Sequence, residues 1–531
     1  MSKFKGIARS AVVISLATLC SRLLGFVRDA VNAWLFGAGM VSDAFFAAFR
    51  IPNLLRDLLA EGSLTIAFIP TFTESQVKHG DKEALRMAAA LFNILVAGFA
   101  VLIGLALIFT PWIVNLVVPG FTAEGRILTI KLTRIIFPFI SFMSLAALLM
   151  GILNSYQRFF ISAIAPAMLN IVMIASGFFL CPVFGPKTEQ QVTGWTIGAL
   201  AGGFAQFIIQ MPGVLKIIRE FGGIKEVFKQ PIINFSYPGL KRIGRLVAPA
   251  VFSSSVNNLS ALIVNTVIAS LLGTAVVTYL YYGFRLMQLP LGVLSVSIST
   301  AAFPVISREA AMKDISAVRQ TVVFSLKSIF FISFPATAGL IALSLPINNL
   351  LFHYGRFTAD GISACAAATV FYSLGLFAFG SNKVLVPAFY ALDDSRTPVM
   401  SALLVLVVSA LMSVVLMVPM GFRGLALATS IASAVNFATL FLALRKRLGG
   451  LDGKKLLISA AKMILAASGM GIVCYFASGL FGDTLSLSFL RRLAQVSVVL
   501  LTGIFIYLIF SLLLKIEEAK MLLRYFVRLK E

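Results

Sequence analysis

Two short stretches near the start of the chain combine arginine and aspartate at one spacing. Residues 22–29 read RLLGFVRD and residues 50–57 read RIPNLLRD, so both follow the pattern R-x5-R-D inside apolar sequence. The planar guanidinium group suits bidentate binding of phosphate or carboxylate. We therefore interpret the arginines as candidate anion-binding groups, with Asp29 and Asp57 as their structural partners.

Other charged side chains also lie within or beside apolar segments. The cations are Arg22, Arg28, Arg50, Arg56, Arg285 and Lys383, and the anions are Asp29, Asp43, Asp57 and Glu61. A charge at the bilayer centre costs roughly 2.5–3.5 kcal/mol or more, so such side chains must face the protein interior. Salt bridges between helices would explain about half of the set. The surplus of cations predicts a cationic cavity for an anionic ligand, such as a phosphorylated one.

Helical geometry groups these charges. Arg22 and Asp29 are seven residues apart and share one helix face, while Arg28 is displaced from Arg22 by roughly 120°. In the second segment, Pro52 removes a backbone donor and predicts a broken helix. Asn53 could then cap the restarted helix.

The composition indicates the environment of these helices. Of 531 residues, 59% are hydrophobic and 12% are charged, and the mean hydropathy is +0.97. This predicts an all-α polytopic membrane protein with fourteen transmembrane helices. The apolar segments are 8–36, 43–73, 87–116, 127–152, 160–183, 193–216, 244–271, 276–306, 320–351, 363–391, 397–419, 422–445, 456–480 and 490–514.

The distribution of basic residues predicts the orientation. With the N-terminus inside, the inner loops and termini carry 28 Lys and Arg and the outer loops carry six. This bias indicates a multi-pass protein of the cytoplasmic membrane with both termini in the cytoplasm. It also explains the net charge of +23, so nucleic-acid binding is not expected. The basic and apolar start is interpreted as an uncleaved first helix.

A weak internal repeat suggests how the helices are organised. Residues 36–70 resemble residues 272–304 at an offset of about 235. Six segments separate the copies, so both have the same orientation, as in transporters built from parallel repeats. We predict a six-helix lobe at 1–235 and a second at 236–450. The remaining residues, 451–531, would form two more helices and a cytoplasmic amphipathic tail.

Several other chemistries lack the residues they need. The four cysteines are far apart and the two histidines are isolated, so we expect neither disulfides nor a metal site. No phosphate-binding loop of the G-x-x-x-x-G-K-[ST] type is present. Asp393 and Asp394 are expected to cap the turn to Thr397 rather than to act as acid and base. We therefore expect no enzymatic activity and no cofactor.

The same stretches resemble the MurJ (MviN) family of lipid II flippases, in the multidrug/oligosaccharidyl-lipid/polysaccharide exporter superfamily. The matching residues are 21–29, 36–46, 52–62, 165–170, 281–287, 354–358 and 383–390. The resemblance implies two six-helix lobes around a central cavity, with alternating access. It implies transport of undecaprenyl-diphosphate-linked disaccharide-pentapeptide from the cytoplasmic to the periplasmic leaflet for cell wall synthesis. The last two helices would form a groove for the lipid tail.

The resemblance also implies roles for individual residues. The diphosphate would be bound by Arg22, Arg28, Arg56 and Arg285. Further functional cavity positions would be Asp29, Asp43, Arg50, Asn53, Glu61 and Lys383. Partners would be lipid II and membrane lipids, with cell wall synthesis proteins as further candidates.

This sequence departs from some relatives beside Arg285. Phe284 and Gln288 stand where some relatives have acidic residues, which leaves coupling to sodium or to the membrane potential open. The alternatives are a flippase for another lipid-linked oligosaccharide, a drug antiporter, a scaffold without transport and an enzyme acting on lipid diphosphates.

Overall fold

The computed structural model describes residues 2–57, 63–223, 239–241, 243–244, 255–256 and 258–528. Within these ranges the chain forms helices and connecting turns, with no strand. The chain forms two compact units. Unit 1 comprises Met1–Leu262 with Tyr354–Arg356, and unit 2 comprises Ile263–His353 with Phe357–Glu531. The lobe boundaries predicted from the sequence stay a prediction.

Eight labelled helices lie between residues 2 and 217 of unit 1. They are α1 (Ser2–Phe36), α2 (Met40–Arg56), α3 (Ser63–Val117), α4 (Ala123–Ile136), α5 (Phe139–Ser155), α6 (Phe159–Phe179), α7 (Thr188–Ile208) and α8 (Met211–Ile217). The helix α6 packs along both α1 and α7, and α5 packs against α3 and α7. The two charged stretches therefore lie on helices that are held by a helical bundle.

The second helix does not break at proline. Helix α2 runs without interruption through Pro52 to Arg56, and both Ile51 and Pro52 are buried. The predicted break, with Asn53 as an N-cap, is therefore wrong. Packing of the buried segment against neighbouring helices compensates for the donor that proline lacks, as is common in membrane helices.

The core of unit 1 lies where α3 meets α5. Phe68 and Phe72 are almost fully buried, and they pack with Leu149 and Leu153. Helix α3 is interrupted at Gly80, which has φ +84°. This positive φ favours glycine and separates the first part of α3 from the long apolar part that follows.

Ten labelled helices form unit 2. They are α9 (Val276–Pro290), α10 (Val296–Ala311), α11 (Ile315–Phe352), α12 (Ala359–Ser373), α13 (Leu376–Ala391), α14 (Arg396–Met420), α15 (Phe422–Arg447), α16 (Gly453–Gly479), α17 (Phe489–Leu513) and α18 (Glu517–Arg528). The helix α11 packs along α16 and contacts α12 and α17. Rings of Phe330, Phe377 and Phe437 lie within 6.2 Å of each other and join α11, α13 and α15.

Nine helices in the described ranges are long and apolar enough to cross a membrane. A tenth span results if α12 and α13, which meet at 46°, are counted as one bent segment. The prediction of an all-helical membrane protein is confirmed. The exact number of fourteen stays a prediction, and residues 245–254 and 257 of segment 244–271 lie outside the described residues.

The two units contain corresponding loops that are fixed in a similar way. In unit 1, Arg158 precedes α6 and its Nη2 lies 2.6 Å from Glu220 Oε2. In unit 2, Asp394 precedes α14 and its Oδ2 lies 2.7 Å from Arg447 Nη1. In both units the partner residue lies near the end of the helix pair that follows the loop. The loop provides the arginine in unit 1 and the aspartate in unit 2. The repeat seen in the sequence stays a prediction.

Asp394 also confirms an expectation from the sequence. Its two carboxylate oxygens accept hydrogen bonds from the backbone N and the hydroxyl of Thr397, at 3.0 and 2.8 Å. The backbone hydrogen bond, together with the hydroxyl and with Arg447, holds the pKa of Asp394 below its ordinary value. The residue is a cap for the turn.

Candidate functional site

The central feature of α1 is an ion pair between adjacent residues. Arg28 Nη2 lies 2.6 Å from Asp29 Oδ1, and Arg28 Nε donates to the same oxygen at 3.0 Å. Only 12% of the Arg28 side chain and 3% of the Asp29 side chain are exposed. The aspartate therefore fixes the orientation of a largely buried guanidinium group.

The second R-x5-R-D stretch repeats this geometry at the end of α2. Arg56 Nη2 lies 2.8 Å from Asp57 Oδ1, and Arg56 Nε donates to that oxygen at 3.3 Å. The pair is more accessible than the one in α1, because a third of the Asp57 side chain is exposed. Asp29 and Asp57 are partners of the arginines, as the sequence suggested.

Arg22 lies one to two turns before the α1 ion pair and is exposed, as are its neighbours Leu23 and Val27. On the other side of α1, Asn170 Nδ2 of α6 donates to Ser21 O at 3.1 Å. Helix α6 thus holds the backbone of α1 at the level of Arg22.

Asp43 occupies the buried start of α2. It is 1% exposed and lies in the first helical turn, where the helix dipole favours a negative charge. The preceding residue, Ser42, donates from Oγ to Gly37 O at 2.6 Å and closes the turn between α1 and α2. Burial and local hydrogen bonding therefore fix Asp43 in position.

That turn is packed tightly against Tyr354–Arg356, the separate segment of unit 1. Arg356 N donates to Trp34 O at 3.1 Å. Gly37 has φ +62°, and a Cβ added there would lie 2.4 Å from Arg356 O. Both the conformation and the close approach require glycine at this position.

The remaining unit 1 candidates differ in their surroundings. Arg50 is half-buried and has interaction partners. Asn53 is half-buried too, and its buried Oδ1 accepts no hydrogen bond from the described residues. Glu61 lies outside the described residues.

In unit 2, Arg285 lies on α9 between buried packing residues. Leu286 is 2% exposed, whereas Arg285 itself is half-buried. The ring of Phe284 meets the edge of Tyr372 at 5.2 Å, and the Tyr372 hydroxyl lies 2.9 Å from Asn265 Oδ1. Sequence reasoning overlooked Tyr372 and Asn265, because single polar groups in apolar segments carry no distinctive spacing.

Lys383 lies exposed on α13. Its backbone carbonyl accepts a hydrogen bond from Ser299 Oγ of α10, and the preceding Asn382 donates from Nδ2 to Ser433 O at 3.3 Å. A π-helical segment, Leu291–Ser295, connects α9 to α10. One run of chain therefore carries Arg285 and also contacts the helix of Lys383.

The candidates therefore form two sets. Arg22, Arg28, Asp29, Asp43, Arg50, Asn53 and Arg56 lie on α1 and α2 of unit 1, and Arg285 and Lys383 lie on α9 and α13 of unit 2. Guanidinium and ammonium groups provide hydrogen-bond donors for an anion. Among the described residues, no group of three His, Cys, Asp or Glu side chains is arranged to hold a metal ion.

The model of the family described as "Lipid II flippase MurJ" matches residues 32–495. The chain belongs to the MurJ family. It is 35% identical over 441 residues to the lipid II flippase MurJ of Burkholderia cenocepacia, covering 83% of this chain and 84% of the relative. It is 33% identical over 448 residues to the probable lipid II flippase MurJ of Vibrio cholerae, covering 82% of each. These matches confirm the resemblance noted from the sequence motifs.

Solved structures agree on the fold. A structure of lipid II flippase MurJ in an inward closed conformation is similar with a TM-score of 0.77 and 28% identity, covering 94% of this chain and 98% of that one. An inward-facing multidrug resistance MATE family transporter of the MOP superfamily is similar with a TM-score of 0.66, covering 84% and 99%. At 15% identity, this second likeness shows only that the MurJ and MATE folds are related.

Proposed function

We propose that the chain is a lipid II flippase: a transporter, not an enzyme. It would move undecaprenyl-diphosphate-linked disaccharide-pentapeptide from the cytoplasmic to the periplasmic leaflet by alternating access, for peptidoglycan synthesis. The relatives named above carry the name lipid II flippase, and the chain aligns with most of their length.

The observation that carries the proposal is the Arg28–Asp29 pair within an apolar helix. A guanidinium group held on two nitrogens by one carboxylate oxygen keeps a fixed orientation. A guanidinium group in a fixed orientation, with its N–H donors in one plane, suits the oxygens of a diphosphate. Arg22, Arg56 and Arg285 would add positive charge in the substrate pathway, with Asp43, Arg50, Asn53, Glu61 and Lys383 as further functional positions.

Complementation tests the proposal. The intact protein is expressed in a bacterium whose own lipid II flippase can be depleted, and growth and peptidoglycan synthesis are measured. We expect rescue by the intact protein and loss of rescue by Arg28→Ala and by Arg285→Ala. Arg445→Ala is the matched control, because Arg445 is exposed at the end of α15, and it should rescue fully.

Each outcome separates alternatives. Rescue by Arg28→Ala would overturn the role of that arginine, provided that the variant and the intact protein reach the membrane in equal amounts. Failure of the well-expressed intact protein would favour a flippase for another lipid-linked oligosaccharide or a drug antiporter. Failure of transport with normal binding of cell wall synthesis proteins would favour a scaffold.

The proposal extends to location and energy source. The protein would be a multi-pass protein of the bacterial inner membrane with both termini in the cytoplasm, in keeping with the basic residues of the predicted inner loops. Transport would need no cofactor and would be driven by the membrane potential or a sodium gradient. Measuring flipping in vesicles after collapse of each gradient in turn tests the two sources.

A further inference from the structure

One arginine of α17 holds the end of α11. Arg492 Nη1 donates to Asn349 O at 3.3 Å and to His353 O at 3.1 Å, and Arg492 Nε donates to Leu487 O at 2.7 Å. These three acceptors are backbone carbonyls. A single guanidinium group therefore joins the last turn of α11 to the first turn of α17 and to the residues just before it.

Side chains in the same region add a second connection. Asn349 Nδ2 donates to Thr484 O, and Asn349 Oδ1 lies 2.6 Å from His353 Nδ1. The buried Gln495 donates from Nε2 to Thr484 Oγ1 at 3.1 Å. The end of α11, the ring of His353 and the turn between α16 and α17 thus form one hydrogen-bonded cluster.

The chain passes from this cluster directly into unit 1. His353 belongs to unit 2, whereas the next three residues, Tyr354–Arg356, belong to unit 1, and we call these three residues the strap. Arg356 N donates to Trp34 O at 3.1 Å. Gly355 has φ +59°, and a Cβ added there would collide with the ring and the carbonyl of Trp34. The strap is therefore seated on the end of α1, beside the turn that leads to α2.

His353 is the group in this cluster whose ordinary pKa lies near neutral pH. A second proton on the ring would leave the bond to Asn349 in place but would put a positive charge beside Arg492. Burial, and then the charge of Arg492, lower the pKa of His353. The observed arrangement therefore disfavours the added proton, and acid must favour an arrangement in which His353 and Arg492 lie farther apart.

Other ionisable groups at this end of unit 2 have weaker effects on His353. Helices α9, α12, α16 and α17 and the short turn Thr484–Ser486 pack against α11. Besides Arg492, these elements and the strap carry near this end Tyr282, Tyr354, Tyr475, Arg356, Asp360, Asp483 and Arg491. The tyrosines stay neutral near and below neutral pH, and the other four residues are exposed, so water and salt screen their charges. Arg492 and His353 are both half-buried, so Arg492 is the charge that His353 meets with the least screening.

We propose that His353 makes the seating of the strap sensitive to the pH on the outer side of the membrane. Protonated His353 would repel Arg492, weaken its hold on the end of α11 and release the strap from Trp34. In the orientation predicted from the basic residues, this loop lies outside. External acid would thereby act on the turn between α1 and α2, whose helices carry the two R-x5-R-D stretches. The proposal does not depend on what the protein transports.

Hydrogen exchange of the purified full chain, followed by mass spectrometry on peptides that contain Arg356, tests the proposal, because the Arg356 amide itself donates to Trp34. Exchange is measured at pH 7.5 and at pH 5.0 and is corrected for the intrinsic pH dependence of amide exchange. In the intact protein, we expect the protection of these peptides to fall roughly fivefold or more at pH 5.0. His353→Gln stays neutral and should show no such fall. His79→Gln, at an exposed position of α3, is the matched control and should show the full effect.

A second pair of variants tests the partner of His353. Arg492→Gln removes the group that holds the end of α11, so the protection around Arg356 should be low at both pH values. Arg491→Gln removes the same charge from the exposed neighbouring residue and should behave like the intact protein.

Four results would each overturn the proposal. They are a fall in protection that persists in His353→Gln, an absence of any fall in the intact protein, an equal loss of protection in Arg491→Gln and Arg492→Gln, and an equal fall in peptides from the buried middle of α11. The last result would indicate general unfolding of unit 2 rather than release of the strap.

Discussion

Arg28 and Asp29 are neighbours in sequence, yet their side chains form an ion pair at 2.6 Å within α1. Adjacent residues on a helix point about 100° apart and do not normally face each other. The long arginine side chain must therefore turn back across the helix surface to reach the carboxylate. Arg56 and Asp57 do the same at 2.8 Å, so the repeated sequence pattern produces a repeated local structure.

The first prediction concerns the carboxylate of this pair. Asp29→Asn keeps the shape but removes the charge that orients Arg28, so we expect loss of rescue in the complementation assay. Because a buried hydrogen bond to a charged group is weakened, the protein should also lose about 1–3 kcal/mol of stability. Thermal unfolding measures that loss. A thiol-reactive fluorophore monitors it, because the buried Cys181, Cys365 and Cys474 become accessible to labelling as the protein unfolds.

Asp452→Asn is the control for this change. Asp452 is exposed and has φ +45°, a conformation that asparagine also adopts. It should behave like the intact protein in both assays. Full rescue by Asp29→Asn would show that the orientation of Arg28 does not depend on the charge of Asp29.

The second prediction concerns the turn between α1 and α2. Gly37→Ala should destabilise unit 1 by about 1–3 kcal/mol, because alanine is strained at φ +62° and its Cβ would meet the carbonyl of Arg356 at 2.4 Å. Gly39→Ala is a matched change two residues on, with open space around the added Cβ. A thermal unfolding curve for each variant gives the comparison, and equal curves would contradict the close approach.

The sequence was sufficient to predict the type of fold and the role of Asp29 and Asp57 as partners of arginines. Long apolar runs and alternating loop charge depend on the bilayer alone, so they predict membrane helices without knowledge of packing. That Asp29 and Asp57 would be partners of arginines followed from the cost of isolated charge in hydrocarbon. The sequence predicted salt bridges between helices, however, and the two observed pairs join adjacent residues. These predictions rest on free energies that local sequence determines.

Other features depended on packing between distant segments. The chain continues helically through Pro52 because buried neighbours compensate for the missing donor, and a local rule for proline does not include them. The hydrogen bond between Tyr372 and Asn265 joins residues more than one hundred positions apart. No periodicity marks such a pair, so only the folded structure reveals it.

The third prediction is a pH dependence at the end of α11. His353 Nδ1 lies 2.6 Å from Asn349 Oδ1, and Asn349 Nδ2 donates to Thr484 O. The Asn349 oxygen is therefore the acceptor, and the neutral ring carries its proton on Nδ1. Burial, and then the charge of Arg492, lower the pKa of His353.

A lowered pKa means that the unfolded chain binds the proton more readily than the folded protein does. The contribution of neutral His353 to the free energy of unfolding is fully present above about pH 6.5, the ordinary pKa of histidine. This contribution is lost as the pH falls through the lowered pKa that His353 has in the folded protein. We expect the melting temperature to fall between pH 7.5 and pH 5 by less in His353→Gln than in the intact protein. His79→Gln, at an exposed position, should keep the full dependence, and an unchanged dependence in His353→Gln would contradict the assignment.

The fourth prediction concerns Gln495, which is 0% exposed inside α17. Its Nε2 donates to Ser478 O, Ser478 Oγ and Thr484 Oγ1, each at 3.1 Å, so one amide holds α17 to α16 and to the turn between them. Gln495→Leu leaves buried acceptors without a donor and should cost about 1–3 kcal/mol. Gln495→Glu should cost more, because a carboxylate donates no hydrogen bond when ionised. Thermal unfolding compares both variants with the control Gln320→Leu, at an exposed position. If Gln495→Glu were as stable as the intact protein, the Gln495 amide would not be the donor that joins these helices.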